Sequence, residues 1–248
     1  MLNIIEHGPV REIRLQRPPV NALDPALVDA LRDALETAGR EADGVVLSGR
    51  DGMFSAGLDV PTLLALDSDA MGAFWRAFEA LLRTIACMPV PTATAITGHS
   101  PAGGAVMALF TDYRVMSRGD YRIGLNETQV GLALPDFIHE ALVRLVGAHR
   151  AERMIVSGAL LSPDQALDHQ LVDALADDAE ATVTAAVNWC EQLLKLPRRT
   201  MLANRATMRR SLTELFEHER DEADFLGVWF SDETQATLRA LVARLKKK

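Results

Sequence analysis

The chain has 248 residues, 48% of them hydrophobic and 24% charged, with 11 prolines, which excludes a disordered or low-complexity protein and allows one large domain or a core with a small appended unit. A formal net charge of -8 argues against a nucleic-acid partner, which needs a field favourable to phosphates. No apolar run approaches the ~20 residues that span a bilayer, and Met1 leads straight into strand-like sequence rather than a signal peptide, so a soluble, cytoplasmic protein without a membrane partner is expected.

From the N-terminus, Leu2 to Ile5 and Val10 to Leu15 read as a hairpin around Gly8-Pro9. Asp24 then caps a helix with Pro25 at its first position and an apolar stripe at Leu27, Val28, Leu31 and Leu35. Gly44 to Ser48 reads as a strand, broken by Gly49, Asp51 and Gly52. Ala70 to Cys87 has helical patterning that Pro89 and Pro91 end before strand-like Thr92 to Thr97. A loop and helix follow at Pro101 to Phe110, with short strands predicted at Tyr113 to Met116 and Tyr121 to Ile123. This alternation favours an α/β core.

After Pro135 the texture is mainly helical, and Ser162-Pro163-Asp164-Gln165 has the residues of a capping box. Leu171 to Leu175 offers one last strand. The final helix carries Leu238, Leu241, Val242 and Leu245 on one face and ends in Lys246 to Lys248, which suit its negative end. The expected division is an α/β core over 1-190 and a helical C-terminal subdomain over 191-248, packed on the core or on a neighbouring subunit. Aromatic Phe225, Trp229 and Phe230 read first as packing residues, with an acyl-tunnel cover or a subunit contact as the alternatives.

Cys87 and Cys190 are far apart, lack metal-ligand spacing and are expected to be ordinary buried thiols; the six histidines form no HExxH-type cluster, so no metal is expected. Chemistry concentrates instead in three segments. Phe54-Ser55-Ala56-Gly57-Leu58-Asp59 follows the Gly44 to Ser48 strand, and Gly57 with its small neighbours permits close backbone approach; alone, it is better read as a tight strand-to-helix connection. Ala102-Gly103-Gly104 stands at a helix start, where unpaired N–H groups can hold developing negative charge, although the glycines serve close helix packing equally well. Neither a GxxxxGK[ST] loop nor a GxGxxG fingerprint is present. Glu127, the third, stands in a predicted loop among Ile123, Leu125, Val130 and Leu132, which would partly desolvate it and raise its pKa. Taken alone, a loop glutamate reads as solvent-facing.

Together, FSAGLD at Phe54 to Asp59, SPAGGAVMAL at Ser100 to Leu109 and IGLNETQVG at Ile123 to Gly131 resemble the enoyl-CoA hydratase/isomerase, or crotonase, superfamily in order and spacing. The resemblance runs from the Arg17-Pro18 to Leu23 region to the C-terminal helix, and SPAGG with IGLNE is most similar to the mitochondrial-type 3,2-trans-enoyl-CoA isomerases. It implies an α/β spiral of repeated ββα units with a helical C-terminal subdomain. It also implies an acyl-CoA thioester substrate, no cofactor beyond the CoA of that substrate, and a homotrimer or dimer of trimers. By the same resemblance, the Leu58 and Gly103 N–H groups form an oxyanion hole, Ala56, Gly57, Leu58, Asp59, Val60 and Gly103 line the CoA site, and Glu127 moves the proton.

In the superfamily pattern GGxE, hydratases commonly carry a second carboxylate where this chain has Val106. Valine cannot exchange a proton, so the expectation is 3-enoyl-CoA isomerisation by a single glutamate. A 2-enoyl-CoA hydratase, another crotonase reaction such as thioester hydrolysis or dehalogenation, and a noncatalytic acyl-CoA-binding protein are the alternatives. Asn126, His99 and Asp59 stay outside the catalytic set: they read as a turn residue, a surface imidazole and a helix cap.

Overall fold

The computed structural model describes residues 1–217 and 222–245. The Leu245 side chain and Lys246 to Lys248, expected on the last helix, lie outside the described residues. The hairpin is formed by β1 (Leu2–His7) and β2 (Val10–Leu15), paired antiparallel with His7 opposite Val10. After it comes α1 (Pro25–Glu41), capped by Asp24, whose carboxylate accepts the Leu27 N–H at 2.8 Å. Its predicted stripe of Leu27, Val28, Leu31 and Leu35 is buried, at about 1.5–3 kcal/mol of hydrophobic stabilisation per side chain.

Three strand pairs then repeat, each giving one strand to a large sheet and one to a small sheet. They are β3 (Gly44–Ser48) with β4 (Gly52–Met53), β5 (Thr92–Ile96) with β6 (Gly98–Pro101), and β7 (Tyr113–Ser117) with β8 (Ile123–Gly124). The helices α2 (Val60–Leu63) and α3 (Ser68–Ala86) follow the first pair, and α4 (Gly103–Leu109) follows the second. After the third come a 3-10 turn (Glu127–Val130), α5 (Asp136–Val146), α6 (Ala148–Ser157) and α7 (Pro163–Asp168). The last strand, β9 (Ala174–Ala176), precedes α8 (Ala179–Leu194), α9 (Arg198–Glu214), α10 (Glu222–Trp229) and α11 (Asp232–Leu245). This is the expected α/β spiral of ββα units.

The large sheet runs β1-β2-β3-β5-β7-β9, parallel except for the first hairpin, and the small sheet runs β4-β6-β8, all parallel. β3 and β5 are buried along their whole length, as parallel strands covered on both faces must be. On one face α8 lays Val183, Ala186, Val187 and Cys190 over Val10, Val46, Ala93, Ala95 and Val115. The other face belongs to the main core, with α1 and α3. Where the small sheet pairs Gly52 with Gly98, a Cβ on Gly98 would lie 2.0 Å from the Gly52 carbonyl carbon, so this register admits no side chain there.

The division expected at 190/191 falls inside α8, which runs unbroken to Leu194 because Cys190 still packs on the sheet. α9 is fastened to the core by charge. Arg205 and Arg209 both pair with Asp112, and Arg209 also donates to the Ala86 and Phe110 carbonyls at 3.0 and 2.7 Å. Several boundaries differ from expectation. Tyr121 and Arg122 are not in a strand, which begins at Ile123, and Leu171 and Val172 are buried in a turn ahead of β9, following Gln170 at φ +63°. Cys87, expected to be buried, is exposed just past the end of α3, whereas Cys190 is buried.

Buried Asn21 links the frame to the segment around Phe54. With φ +51°, it donates its side-chain amide to the carbonyls of Leu15, Met53 and Phe54 and accepts the Arg17 N–H. Asn tolerates this left-handed conformation far better than alanine. Asn21→Ala is therefore expected to lower the unfolding free energy by about 3 kcal/mol in urea denaturation, since the carbonyls lose a buried donor; a loss below about 1 kcal/mol would contradict this linkage.

Candidate active site

Leu58 is held from both sides by Leu23. The Leu23 N–H donates to the Gly57 carbonyl at 2.8 Å, and the Asp59 N–H donates to the Leu23 carbonyl at 3.0 Å. The Leu58 N–H between them has no protein acceptor among the described residues. Gly57 has φ +83°, and a Cβ there would lie 2.9 Å from both the Gly103 nitrogen and the Ala102 Cβ. Glycine at 57 is thus demanded by conformation and by space.

Ala102, at φ +50° and ψ -126°, turns the chain into α4, a backbone state that costs on the order of 1–3 kcal/mol. Its N–H donates to the Gly124 carbonyl at 2.8 Å, while the Gly103 N–H has no protein acceptor among the described residues. α4 spans seven residues, so the polarity here comes chiefly from the local N–H groups rather than from a long helix dipole. The two free N–H groups come from neighbouring segments: a Cβ on Gly103 would lie 3.5 Å from the Leu58 nitrogen.

Glu127, expected in a loop and by default in solvent, opens the 3-10 turn and is 7% exposed. The turn is pinned from two sides. Thr128 and Gln129 donate to the Ile155 and Gly158 carbonyls around the end of α6, at 2.7 and 2.8 Å, and Thr234 of α11 donates to the Gly131 carbonyl at 2.6 Å. Of the four apolar neighbours expected to desolvate it, Ile123, Leu125 and Leu132 are buried and Val130 is partly buried. Glu127 Oε2 has no hydrogen-bond partner. Burial raises its pKa from 4.5 to about 7, opposed weakly by its own backbone N–H.

Leu58, Gly103, Val106 and Glu127 line one narrow apolar cavity, closed in by Trp75 and Phe78 from α3, Ile138 from α5 and Phe225 from α10. Glu127 is the sole carboxylate in this lining among the described residues; Val106, 1% exposed, offers only methyl groups. Ala56, Gly57, Asp59 and Val60 stand behind Leu58 and outside the lining. Asp59 caps α2 through the Thr62 N–H and shares Arg17 with Asp24, both pairs at 2.8 Å. His99 belongs to β6, not a surface loop, and its Nδ1 accepts the Arg122 N–H. Asn126 precedes the 3-10 turn with its Oδ1 buried and unpartnered. Trp75 and Phe78 escaped the sequence reading because their spacing on α3 is that of any core stripe.

Two free backbone donors and one buried carboxylate thus stand around an apolar cavity inside a ββα spiral of the crotonase fold. The family model for enoyl-CoA hydratase/isomerase matches residues 6–246, and the chain belongs to that family. Human mitochondrial enoyl-CoA delta isomerase 1 is 30% identical over 244 residues, covering 96% of this chain and 80% of that protein. The probable enoyl-CoA hydratase echA17 of Mycobacterium avium is 30% identical over 194 residues, 77% of this chain and 75% of that protein. The crystal structure of human mitochondrial delta3-delta2-enoyl-CoA isomerase superposes with a TM-score of 0.93 at 29% identity, covering 99% of this chain and 98% of that chain.

A carboxyl group whose pKa is raised on folding favours the folded state while protonated, and this contribution is lost as pH rises from 4.5 through about 7. Glu127→Gln removes the titration. Its stability relative to the wild-type protein is expected to grow by about 2–3 kcal/mol between about pH 5 and 8 in denaturant titrations. A difference independent of pH would mean that Glu127 is hydrated and ionises normally.

Proposed function

We propose that the protein isomerises a 3-enoyl-CoA to the 2-trans-enoyl-CoA with Glu127 as its single proton shuttle. The observation that carries this reading is the buried Glu127 carboxyl, its Oε2 without a hydrogen-bond partner, in one apolar cavity with Leu58 and Gly103, whose N–H groups are free, and with Val106. The thioester oxygen accepts both N–H groups. The Glu127 carboxylate takes a proton from C2, and the electron pair delocalises over C2, the carbonyl and the C3=C4 double bond as a dienolate. Protonated Glu127 then returns the proton at C4, the double bond settles between C2 and C3, and the carboxylate is restored. No water is consumed, in keeping with a lining that holds no second acid among the described residues.

Two magnitudes support this division of labour. A backbone donor aimed at a developing oxyanion contributes about 3–4 kcal/mol of transition-state stabilisation. A pKa of about 7 lets one group both accept and return a proton near neutrality, where an exposed glutamate would be too weak a base. Ala56 to Val60 hold the CoA portion in this reading, and assembly follows the family pattern of a trimer or a dimer of trimers.

Turnover of 3-hexenoyl-CoA to 2-trans-hexenoyl-CoA tests the reaction. Glu127→Gln is expected to lower kcat on the order of 10³-fold while hexanoyl-CoA binding survives. Wild-type kcat/KM is expected to fall as pH drops through about 7, because the base must be ionised to take the C2 proton. Rapid hydration of 2-trans-hexenoyl-CoA with no double-bond shift would contradict the reading in favour of a hydratase. Acyl-CoA binding without turnover of any enoyl-CoA would favour a binding protein.

A further inference from the structure

The cavity at Glu127 leaves room for about 20 Å³, roughly the space of one water molecule. That is too little for an acyl tail, which must find its space beyond this cavity. Directly behind it lies a groove of about 340 Å³. Four residues, Trp75, Ala133, Leu134 and Phe225, line both spaces and form the wall between them.

The two aromatic rings of that wall are stacked, with centroids 3.7 Å apart and planes 11° from parallel. They differ in burial, and each has a second aromatic neighbour, that of Phe225 being Trp229 with centroids 6.0 Å apart. Trp75 is 6% exposed on α3 and packs against Phe78 as well, with centroids 5.8 Å apart. Phe225 is half-buried on the short α10, which is anchored at its start by the Arg76–Glu222 ion pair and at its end by fully buried Trp229. Between these anchors, the half-buried Phe225 side chain faces both the cavity and the groove.

Resting on the acyl-CoA reading above, we infer that Phe225 is the specificity-determining residue for acyl-chain length. Stacked on Trp75, its ring closes the cavity behind a short acyl group. A longer tail displaces the ring and runs along the Trp75 indole into the groove, past Leu134 towards Val228. The outer groove is bordered by Asp136 and Asp224, both exposed, so the occupant is a tail ending in a methyl group rather than a second carboxylate. Unstacking an aromatic pair has a fixed cost, which each added methylene buried in the groove offsets. Chain-length preference is thereby set at one side chain.

Butyryl-CoA and decanoyl-CoA, neither of which can be isomerised, probe this wall by titration calorimetry. The ratio of decanoyl-CoA to butyryl-CoA dissociation constants is expected to fall on the order of tenfold in Phe225→Ala, and by less in Phe225→Leu. It is expected to stay at the wild-type value in Phe230→Ala, which alters an exposed aromatic outside both spaces. Phe225→Leu carries the test if the alanine variant does not fold. A ratio within about twofold of wild type in every folded Phe225 variant overturns the inference, as does an equal shift in Phe230→Ala. If the wild-type protein binds both esters but converts no 3-enoyl-CoA, the isomerase reading fails and the gate is still decided by the ratio. If it binds neither, both fail.

Discussion

The site rests on one close approach: the backbone at Gly57 lies so near the start of α4 that a single methyl group would collide with the Gly103 nitrogen and with Ala102. That approach joins the end of the loop after β4 to the turn after β6, two segments that the pairing of β4 with β6 already brings side by side. Leu23 fixes the first by bonding on either side of Leu58, and Gly124 fixes the second through Ala102. With the flanking groups spoken for, the Leu58 and Gly103 N–H groups are left without a protein acceptor among the described residues. The small parallel sheet β4-β6-β8 sets this geometry, since each strand delivers its following segment to the same side. Backbone donors also resist mutation, as a changed side chain at Leu58 leaves its N–H in place.

Glu127 depends on the same frame from the opposite direction. Strand β8 feeds the 3-10 turn, and α6 and α11 close over it by hydrogen bonds to its backbone and side chains. The carboxyl is therefore buried because its turn is clamped, not because it is paired. A pKa raised to about 7 corresponds to roughly 3 kcal/mol of stability forgone when the group is ionised. The hydrophobic burial around α1, α3 and the large sheet is ample to carry such a cost. In the proposed reaction, that cost is what makes the carboxylate a competent base.

Much of this was legible in the sequence, for local reasons. Asp24-Pro25 with its stripe, and Ser162 to Gln165 with its capping box, are short-range signals that the structure reproduces. The short, largely apolar Gly44 to Ser48 run likewise became a central strand. The short strands β4 and β6 were not legible, because runs of two and four residues show too little periodicity to detect, and β8 was anticipated only with shifted bounds. Nor was Asn21, whose bonds to Met53 and Phe54 reach more than thirty residues along the chain. At the site, the glycines and Glu127 could be picked out by their motif. The burial of Glu127 could only be anticipated from its apolar neighbours, because clamps such as Thr234 lie more than a hundred residues away. The closing of the cavity by Phe225 depends on how α10 packs against α3, which no local pattern encodes.

The central claim, that two backbone donors and one desolvated carboxylate act on the same thioester, is tested most directly by a crystal structure of Glu127→Gln with 3-hexenoyl-CoA bound. The thioester oxygen is expected at about 2.7–3.1 Å from both the Leu58 and Gly103 nitrogens. The residue 127 side chain should lie over C2 and C4 on one face of the acyl group. A thioester oxygen held by other groups, or a residue 127 side chain directed into solvent, would contradict it.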